Sequence, residues 1–411
     1  MGGGLAGGRA VERLRELGFE GRLLLITEEP RPPHERPPLS KQYLKGDLPE
    51  SRLLTRPPDF YARHEVEVRT STTAIRIAAR ERTLVLRGGE EIRYDRLLLA
   101  LGSEPVRPPI PGAGLVGVET LRTVDDADRI RQRLRPGTPV LVLGAGFLGS
   151  EVAATARELG CRVQLVEARE LPLLALGPEV ASWAAVQHRE HGVELLTSTS
   201  VTEFRGSEQV EAALLSTGMT VDCQLVVLAL GARPRVGLAQ QAGLRVGDGV
   251  LVDGACRTSV PEILAAGDIA RFPHPAPGGS LRLEHWDNAQ LQGRHAAQAM
   301  LGPVGSYAPL PYFWTELYGQ MAQQLGLWSG ELPAILRGDP VTGRFTALQI
   351  QGGRLTACVA VNQFPALKWA RRIMESGAVL DPDHLDQLGP PGGFGGPGQP
   401  RTLRVDLDTL S

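Results

Sequence analysis

Unbroken apolar runs, almost all Val, Leu and Ile, recur along the chain at 23–26 (LLLI), 97–101 (LLLAL), 140–143 (VLVL) and 225–230 (LVVLAL), with a near match at 163–166 (VQLV). Runs with so little alternation suit strands buried on both faces of a parallel sheet. Between several of them the apolar positions fall at helical spacing, so strands alternate with helices and the class is α/β. No period of roughly 20–50 residues spans the whole chain. One unit nevertheless occurs twice: a Gly-rich turn, an amphipathic helix, a strand and an acid.

In the first copy, Gly2, Gly4 and Gly7 precede a helix ending near Leu17, the strand LLLI and then Glu28. In the second, the strand VLVL leads into Gly144, Gly146 and Gly149, a helix ending near Leu159, the strand VQLV and Glu167. From last glycine to acid the spacing is 21 residues in one and 18 in the other, close to the ~20 of a dinucleotide fingerprint. The first glycine allows the tight turn, the second lets backbone approach a pyrophosphate, and the third lets helix and strand pack closely. Phosphates then meet the helix N-terminus, and the acid accepts hydrogen bonds from ribose hydroxyls. A single such turn also arises for structural reasons alone. Two copies, one with its preceding strand, point to two dinucleotides.

Only Met1 precedes Gly2, so the strand that should enter the first turn is missing from the sequence. An upstream natural start is the favoured expectation. A truncated form with a compromised first nucleotide site is the alternative.

Length and composition narrow the function classes. At about 150 residues per domain, 411 residues give two or three domains. The 44 basic and 46 acidic residues leave a net charge of −2, which excludes a global field favouring nucleic acid or an anionic membrane. Of the basic residues 41 are Arg, and the three Lys are Lys41, Lys45 and Lys368. Cysteines stand at 161, 223, 256 and 358, with no close pair for a zinc site or redox disulfide. The longest apolar run, 225–230, is far below the roughly 18 residues needed to cross a bilayer. A soluble cytoplasmic protein is expected. Ten Gly or Pro in the twelve residues 389–400 indicate a flexible tail.

The segment ERPPLSK at 35–41 resembles a signature of the FAD-dependent ferredoxin reductases of oxygenase systems, the putidaredoxin, rubredoxin and biphenyl-dioxygenase reductase type within the pyridine nucleotide-disulfide oxidoreductases. Further matches run in family order: YDRLLLALGSEP from 94, ETLRTVDDADRI from 119, GAGFLGSE from 144, ALGARP from 229, ILAAGDIA from 263, EHWDNA from 284 and PYFWTELY from 311. The resemblance implies two Rossmann-like domains, with the NAD domain inserted in the FAD domain, and a C-terminal α+β domain built on antiparallel sheet. The expected boundaries are 1–108 and 235–303 for FAD, 109–234 for NAD, 304–385 for the C-terminal domain and 386–411 for the tail.

By the same resemblance the FAD set comprises Gly2, Gly4, Ala6, Gly7, Glu28, Arg36, Lys41, Thr72, Arg122, Asp268 and Trp286. The NAD set comprises Gly144, Gly146, Gly149, Glu167 and Gly231. Asp268 matches the family's acid on the ribityl chain, although a Gly-Asp turn before a helix would also cap that helix. Arg122 matches the Arg reaching FAD from the start of the NAD domain, Trp286 the residue whose backbone meets the flavin pyrimidine edge, and Thr72 a backbone contact to adenine. Lys41 and Glu151 match a pair implied to be catalytic, a lysine beside flavin N5 held by the acid of GxGxxGxE; the blander reading is a domain-bridging salt bridge. An ammonium there would stabilise negative charge developing on the flavin. Glu167 favours NADH by repelling a 2′-phosphate, while Arg169 leaves room for NADPH.

Two positions depart from the family. Ala100-Leu101-Gly102 stands for Ala-Thr-Gly, and Leu317 stands between Glu316 and Tyr318 where the family has Gln. No Cys occurs before 161, so the flavin has no thiol relay and its electrons should leave singly, to a [2Fe–2S] ferredoxin serving an oxygenase or P450. Lys368, Arg371 and Arg372, on an expected helix, could form a basic patch for that partner or an ordinary solvated face. Oxygen, a quinone or a nitrite reductase subunit are alternative acceptors, and an FAD-less NAD-binding protein is another class. Monomer and homodimer both stay open.

Overall fold

The computed structural model describes residues 1–275 and 278–380. The Gly/Pro-rich tail at 386–411 lies outside the described residues. The chain divides into two compact units, one of Met1–Val106, Leu121–Asp128 and Gly231–Pro309, the other of Arg107–Thr120, Arg129–Leu230 and the chain from Leu310 onward.

In the first unit, strand Leu23–Ile26 pairs in parallel with Val66–Arg69, and Leu97–Leu99 with Ile263–Ala265. Met1 lies between these two pairs: its amino group donates to Leu98 O at 2.8 Å and its carbonyl accepts from Ala100 N at 2.8 Å. Gly2 N then donates to Ile26 O at 2.8 Å, so Met1 and Gly2 bridge the two strand pairs. Helix Leu5–Glu16 packs closely on helix Trp286–Leu301, because Gly293 lacks the Cβ that would strike the Ala6 backbone. Ala6 itself is buried in this helix contact. A two-stranded antiparallel ribbon joins Ser103–Pro105 to Ala232–Pro234.

The second unit holds a five-stranded parallel sheet in the order Glu194–Leu196, Arg162–Val166, Pro139–Leu143, Leu225–Leu228, Val118–Thr120. Its middle strands are almost wholly buried, which is why their sequences run unbroken in Val and Leu. The same unit holds a five-stranded antiparallel sheet beginning with Tyr312–Leu317 and Gln320–Gly326, with helix Phe364–Ser376 packed on it. Leu317 is fully buried in a core with Leu173, Trp183 and Phe345. Its departure from the family's Gln therefore exchanges a polar group for core packing.

Beside that core, helix Pro178–Glu190 buries His188, whose Nδ1 lies 2.9 Å from Tyr318 Oη, while His191 stacks on the Tyr318 ring at 3.7 Å. Burial first, and the nearby His191 second, push the His188 pKa down to about 4. His188 is therefore neutral in the folded chain at pH 7. As pH falls below its ordinary value near 6.5, the unfolded chain takes up the proton first and stability is lost until about pH 4. At ~1.4 kcal/mol per unit the whole window costs about 3 kcal/mol. Urea unfolding at pH 7 and pH 5 should show the loss in the second unit, and His188→Gln should flatten it; equal slopes in both proteins would refute the assignment.

Candidate functional site

The two glycine turns are built alike. Gly2 N donates to Ile26 O and Gly144 N to Val166 O, both at 2.8 Å. Gly2 and Gly144 have φ of +115° and +98°, which disfavours any side chain there. A Cβ at Gly2 would strike Ala100 O, one at Gly7 the Gly2 carbonyl, and one at Gly149 the Gly144 carbonyl. The middle glycines differ: a Cβ at Gly4 or Gly146 would meet no protein atom within 4 Å. Packing thus explains the outer glycines, while the middle ones leave bare backbone facing open space. Helices Leu5–Glu16 and Phe147–Glu158 begin there with no side-chain cap, so their N-terminal N–H groups favour an anion.

Around the first turn the charged groups converge. Arg122 Nη2 donates to Asp268 Oδ2 at 2.8 Å, and Ser103 Oγ to the same oxygen at 3.1 Å. Both donors use one carboxylate oxygen, which leaves Oδ1, in a side chain only 13% exposed, able to accept more. Arg36 donates to Glu29 Oε1 and to the Arg122 carbonyl, both at 2.6 Å. Burial, and then the Arg122 charge, push the Arg36 pKa below its ordinary value. Two neighbouring guanidiniums beside an uncapped helix fit the pyrophosphate of a dinucleotide. The residues present therefore fit FAD.

Asp268 does not precede a helix: the chain continues into strand Ala270–Pro273. The capping alternative therefore falls away. Thr72 N donates to Thr27 O at 2.9 Å, so that N–H is already used. Trp286 opens helix Trp286–Leu301 and donates its indole N–H to Glu35, whose pKa burial raises. Glu28 is bound by Arg235. By hydrogen-bond register, the residue equivalent to Glu167 in the first turn is Thr27, with Glu28 and Glu29 just beyond it. Glu29, Glu35, Ser103 and Arg235 escape sequence reasoning, since nothing in local spacing marks them.

Lys41 lies between the 3-10 turn Pro37–Ser40 and the short helix Gln42–Lys45, its Nζ 3.4 Å from Ser40 Oγ. It belongs to the first unit and Glu151 to the second, where the buried Glu151 accepts a hydrogen bond from Thr315 Oγ1 at 2.9 Å. At the second turn Glu167 accepts from Ala145 N at 2.7 Å and Arg169 N at 2.9 Å, which holds its carboxylate at the strand end. Gly231, with φ +86°, has open space where a Cβ would lie. It falls in the first unit, whereas the other residues of the expected NAD set fall in the second.

All four cysteines are buried, and burial raises their thiol pKa values, to about 12 for Cys223, Cys256 and Cys358. Such thiols are inert. The native protein is expected to release no colour from an aromatic disulfide reagent at pH 8 within minutes, and the unfolded protein to release four equivalents; one rapid native equivalent would reveal an accessible thiol. Lys368, Arg371 and Arg372 lie on helix Phe364–Ser376. Lys368 Nζ sits 4.9 Å from the Phe364 ring centroid, and Arg371 lies 3.5 Å from Glu375. No helix among the described residues is long and apolar enough to cross a membrane.

Comparison with known proteins agrees with this arrangement. The family model for pyridine nucleotide-disulphide oxidoreductases matches residues 1–293, and that for the reductase C-terminal domain matches 312–389. The chain is 34% identical over 391 residues to the biphenyl dioxygenase system ferredoxin–NAD(+) reductase component of Paraburkholderia xenovorans, covering 95% of each chain. It superposes with a TM-score of 0.90 and 33% identity on the ferredoxin reductase for the CYP199A2 system of Rhodopseudomonas palustris, over 93% of this chain and 95% of that one. The reductase in a covalent putidaredoxin reductase–putidaredoxin complex gives 0.90 at 32% identity, over 93% of both chains. The chain belongs to the pyridine nucleotide-disulphide oxidoreductases, in the branch of ferredoxin–NAD(+) reductases that carry the reductase C-terminal domain.

Proposed function

We propose that this protein takes electrons from NADH and passes them through FAD, one at a time, to a [2Fe–2S] ferredoxin that feeds an oxygenase or P450 in the cytoplasm. The observation that carries the reading is the pair of glycine turns, each with a middle glycine that leaves bare backbone facing open space at the start of a helix without a side-chain cap. The buried thiols support it, since they offer no internal acceptor.

Bound FAD would supply a two-electron hydride acceptor that can give electrons up singly. The chain's own residues do the rest. Gly2, Gly4, Gly7 and the uncapped helix would receive the pyrophosphate, with Arg36 and Arg122 balancing its charge. Asp268 would accept ribityl hydroxyls on Oδ1 while Arg122 and Ser103 fix Oδ2. Trp286 would border the pyrimidine edge, steered by Glu35. Gly144, Gly146 and Gly149 would receive NADH, and Glu167, fixed by two backbone N–H groups, would accept its ribose hydroxyls and repel a 2′-phosphate. Lys368, Arg371 and Arg372 would attract an acidic ferredoxin, with Arg371 partly compensated by Glu375.

The decisive measurement is the visible spectrum of the purified protein before and after anaerobic NADH, followed by cytochrome c reduction with and without ferredoxin. Flavin bands near ~450 nm that bleach with NADH, and cytochrome c reduction that requires ferredoxin, are the expected results. Colourless protein that added FAD does not restore would overturn the flavin reading. Equal rates without ferredoxin would transfer the assignment to another acceptor.

A further inference from the structure

Glu28 is engaged by a side chain 207 positions away in sequence. Both guanidinium ends of Arg235 reach its carboxylate, Nη1 to Oε1 and Nη2 to Oε2 at 3.0 Å. This bidentate form is the strongest arginine–carboxylate arrangement. The hydrogen bonds from Arg235 are also the first cause of a Glu28 pKa below its ordinary value.

The backbone of Arg235 is fixed independently. Its N–H donates to Gly102 O at 3.0 Å, and the residues before it form the ribbon in which Ala232 pairs with Pro105 and Pro234 with Ser103. The guanidinium therefore extends from a stiff support to the end of the strand that holds Gly2. The side chains are 39% and 45% exposed, and ion pairs with that much solvent add little to folding. Stability alone gives no reason for the bridge. Its place does, because it ties the ribbon to the strand end where a dinucleotide's adenosine would lie. By hydrogen-bond register Thr27, not Glu28, stands where Glu167 stands in the second turn, and both Glu28 carboxylate oxygens accept from Arg235.

We propose that Arg235 and Glu28 form a latch over the adenosine half of the FAD site, closing the ribbon onto the strand end and slowing release of the bound dinucleotide. The latch rests on the FAD reading above and adds to it a residue that sets the lifetime of the complex.

The test follows the rise of FAD fluorescence after FAD-loaded protein is diluted to nanomolar concentration. Arg235→Gln and Glu28→Gln should each release FAD about fivefold faster, the factor a well-formed exposed pair can supply. The double variant should release it no faster than either single, because both remove one shared interaction. Raising salt from low ionic strength to about 0.5 M should speed release from the unaltered protein more than from the double variant, which keeps only the pyrophosphate contacts. The charge swap Glu28→Arg with Arg235→Glu should restore slow release. Unchanged release in the single variants, or slower release, would overturn the latch, the latter by making the pair an obstruction. If the single variants fail to fold, the salt response of the unaltered protein decides: a salt-insensitive release overturns the proposal. Protein that takes up no FAD at all defeats the flavin reading and the latch with it, whereas FAD uptake with salt-insensitive release defeats the latch alone.

Discussion

Asp268→Ala is expected to purify without colour and to bind added FAD on the order of 10²-fold more weakly, the factor given by losing about 3 kcal/mol at a charged, mostly buried partner. The reason lies in the sharing of one oxygen. Arg122 and Ser103 both donate to Oδ2, so the carboxylate cannot turn without breaking two hydrogen bonds. Oδ1 is thereby held ready to accept hydroxyls. Removing the side chain costs twice, because the acceptor disappears and the Arg122 guanidinium loses its carboxylate beside an already crowded Arg36. Asp268→Asn keeps an acceptor oxygen but not the charge, and should fall between the two. The measurement is the ratio of flavin to protein absorbance after purification, followed by a fluorescence titration with FAD. A yellow Asp268→Ala protein binding FAD within about threefold of the unaltered chain would reduce Asp268 to a structural partner of Arg122.

Much of the fold was legible because burial on both faces leaves a signature in one strand's own residues. The runs at 140–143 and 225–230 emerged as Pro139–Leu143 and Leu225–Leu228, neighbours in one parallel sheet. Both glycine helices also emerged where the turn and the apolar spacing put them, Leu5–Glu16 and Phe147–Glu158. The C-terminal sheet was legible only through resemblance to a family. Its strands alternate imperfectly, and Leu317 is buried where the family carries a polar residue.

The site was legible where chemistry is local and illegible where it is assembled from afar. A glycine turn announces itself within six residues. The partners of Glu28 and Asp268 lie 207 and 146 residues away, and no spacing rule connects such positions. Arg235 was further hidden by composition, being one of 41 arginines. Counting from glycine to acid also gave a coarse register, since the first copy carries a longer connection between helix and strand. The hydrogen bonds Gly2 N to Ile26 O and Gly144 N to Val166 O give the alignment directly and set Thr27 opposite Glu167. The meaning of Asp268 turned on the element after it. A helix would have made it a cap, and the strand Ala270–Pro273 releases it for other work.

Lys41→Met is expected to slow bleaching by NADH on the order of 10²-fold, the scale of losing one preorganised electrostatic group, while FAD content stays near that of the unaltered protein. The local structure argues for a charge held in place. Pro37 and Pro38 stiffen the turn before it, Lys41 N donates to Pro38 O at 3.0 Å, and Lys41 O accepts from Lys45 N at 2.9 Å. Leu39 and Leu44 are buried on either side, and Tyr43 Oη donates to Asp128 at 2.9 Å, so the segment cannot slide. A chain that uses arginine at 41 positions and lysine at three has kept at this point a compact ammonium, which concentrates charge on one atom where a guanidinium spreads it over a plane. Lys41→Arg should therefore recover only part of the rate although the net charge is unchanged. Stopped-flow bleaching at saturating NADH, under anaerobic conditions, separates this effect from nucleotide binding. A Lys41→Met protein that bleaches within about threefold of the unaltered rate would leave Lys41 as a surface ion-pair residue of little consequence, and the charge stabilisation would have to come from elsewhere in the chain.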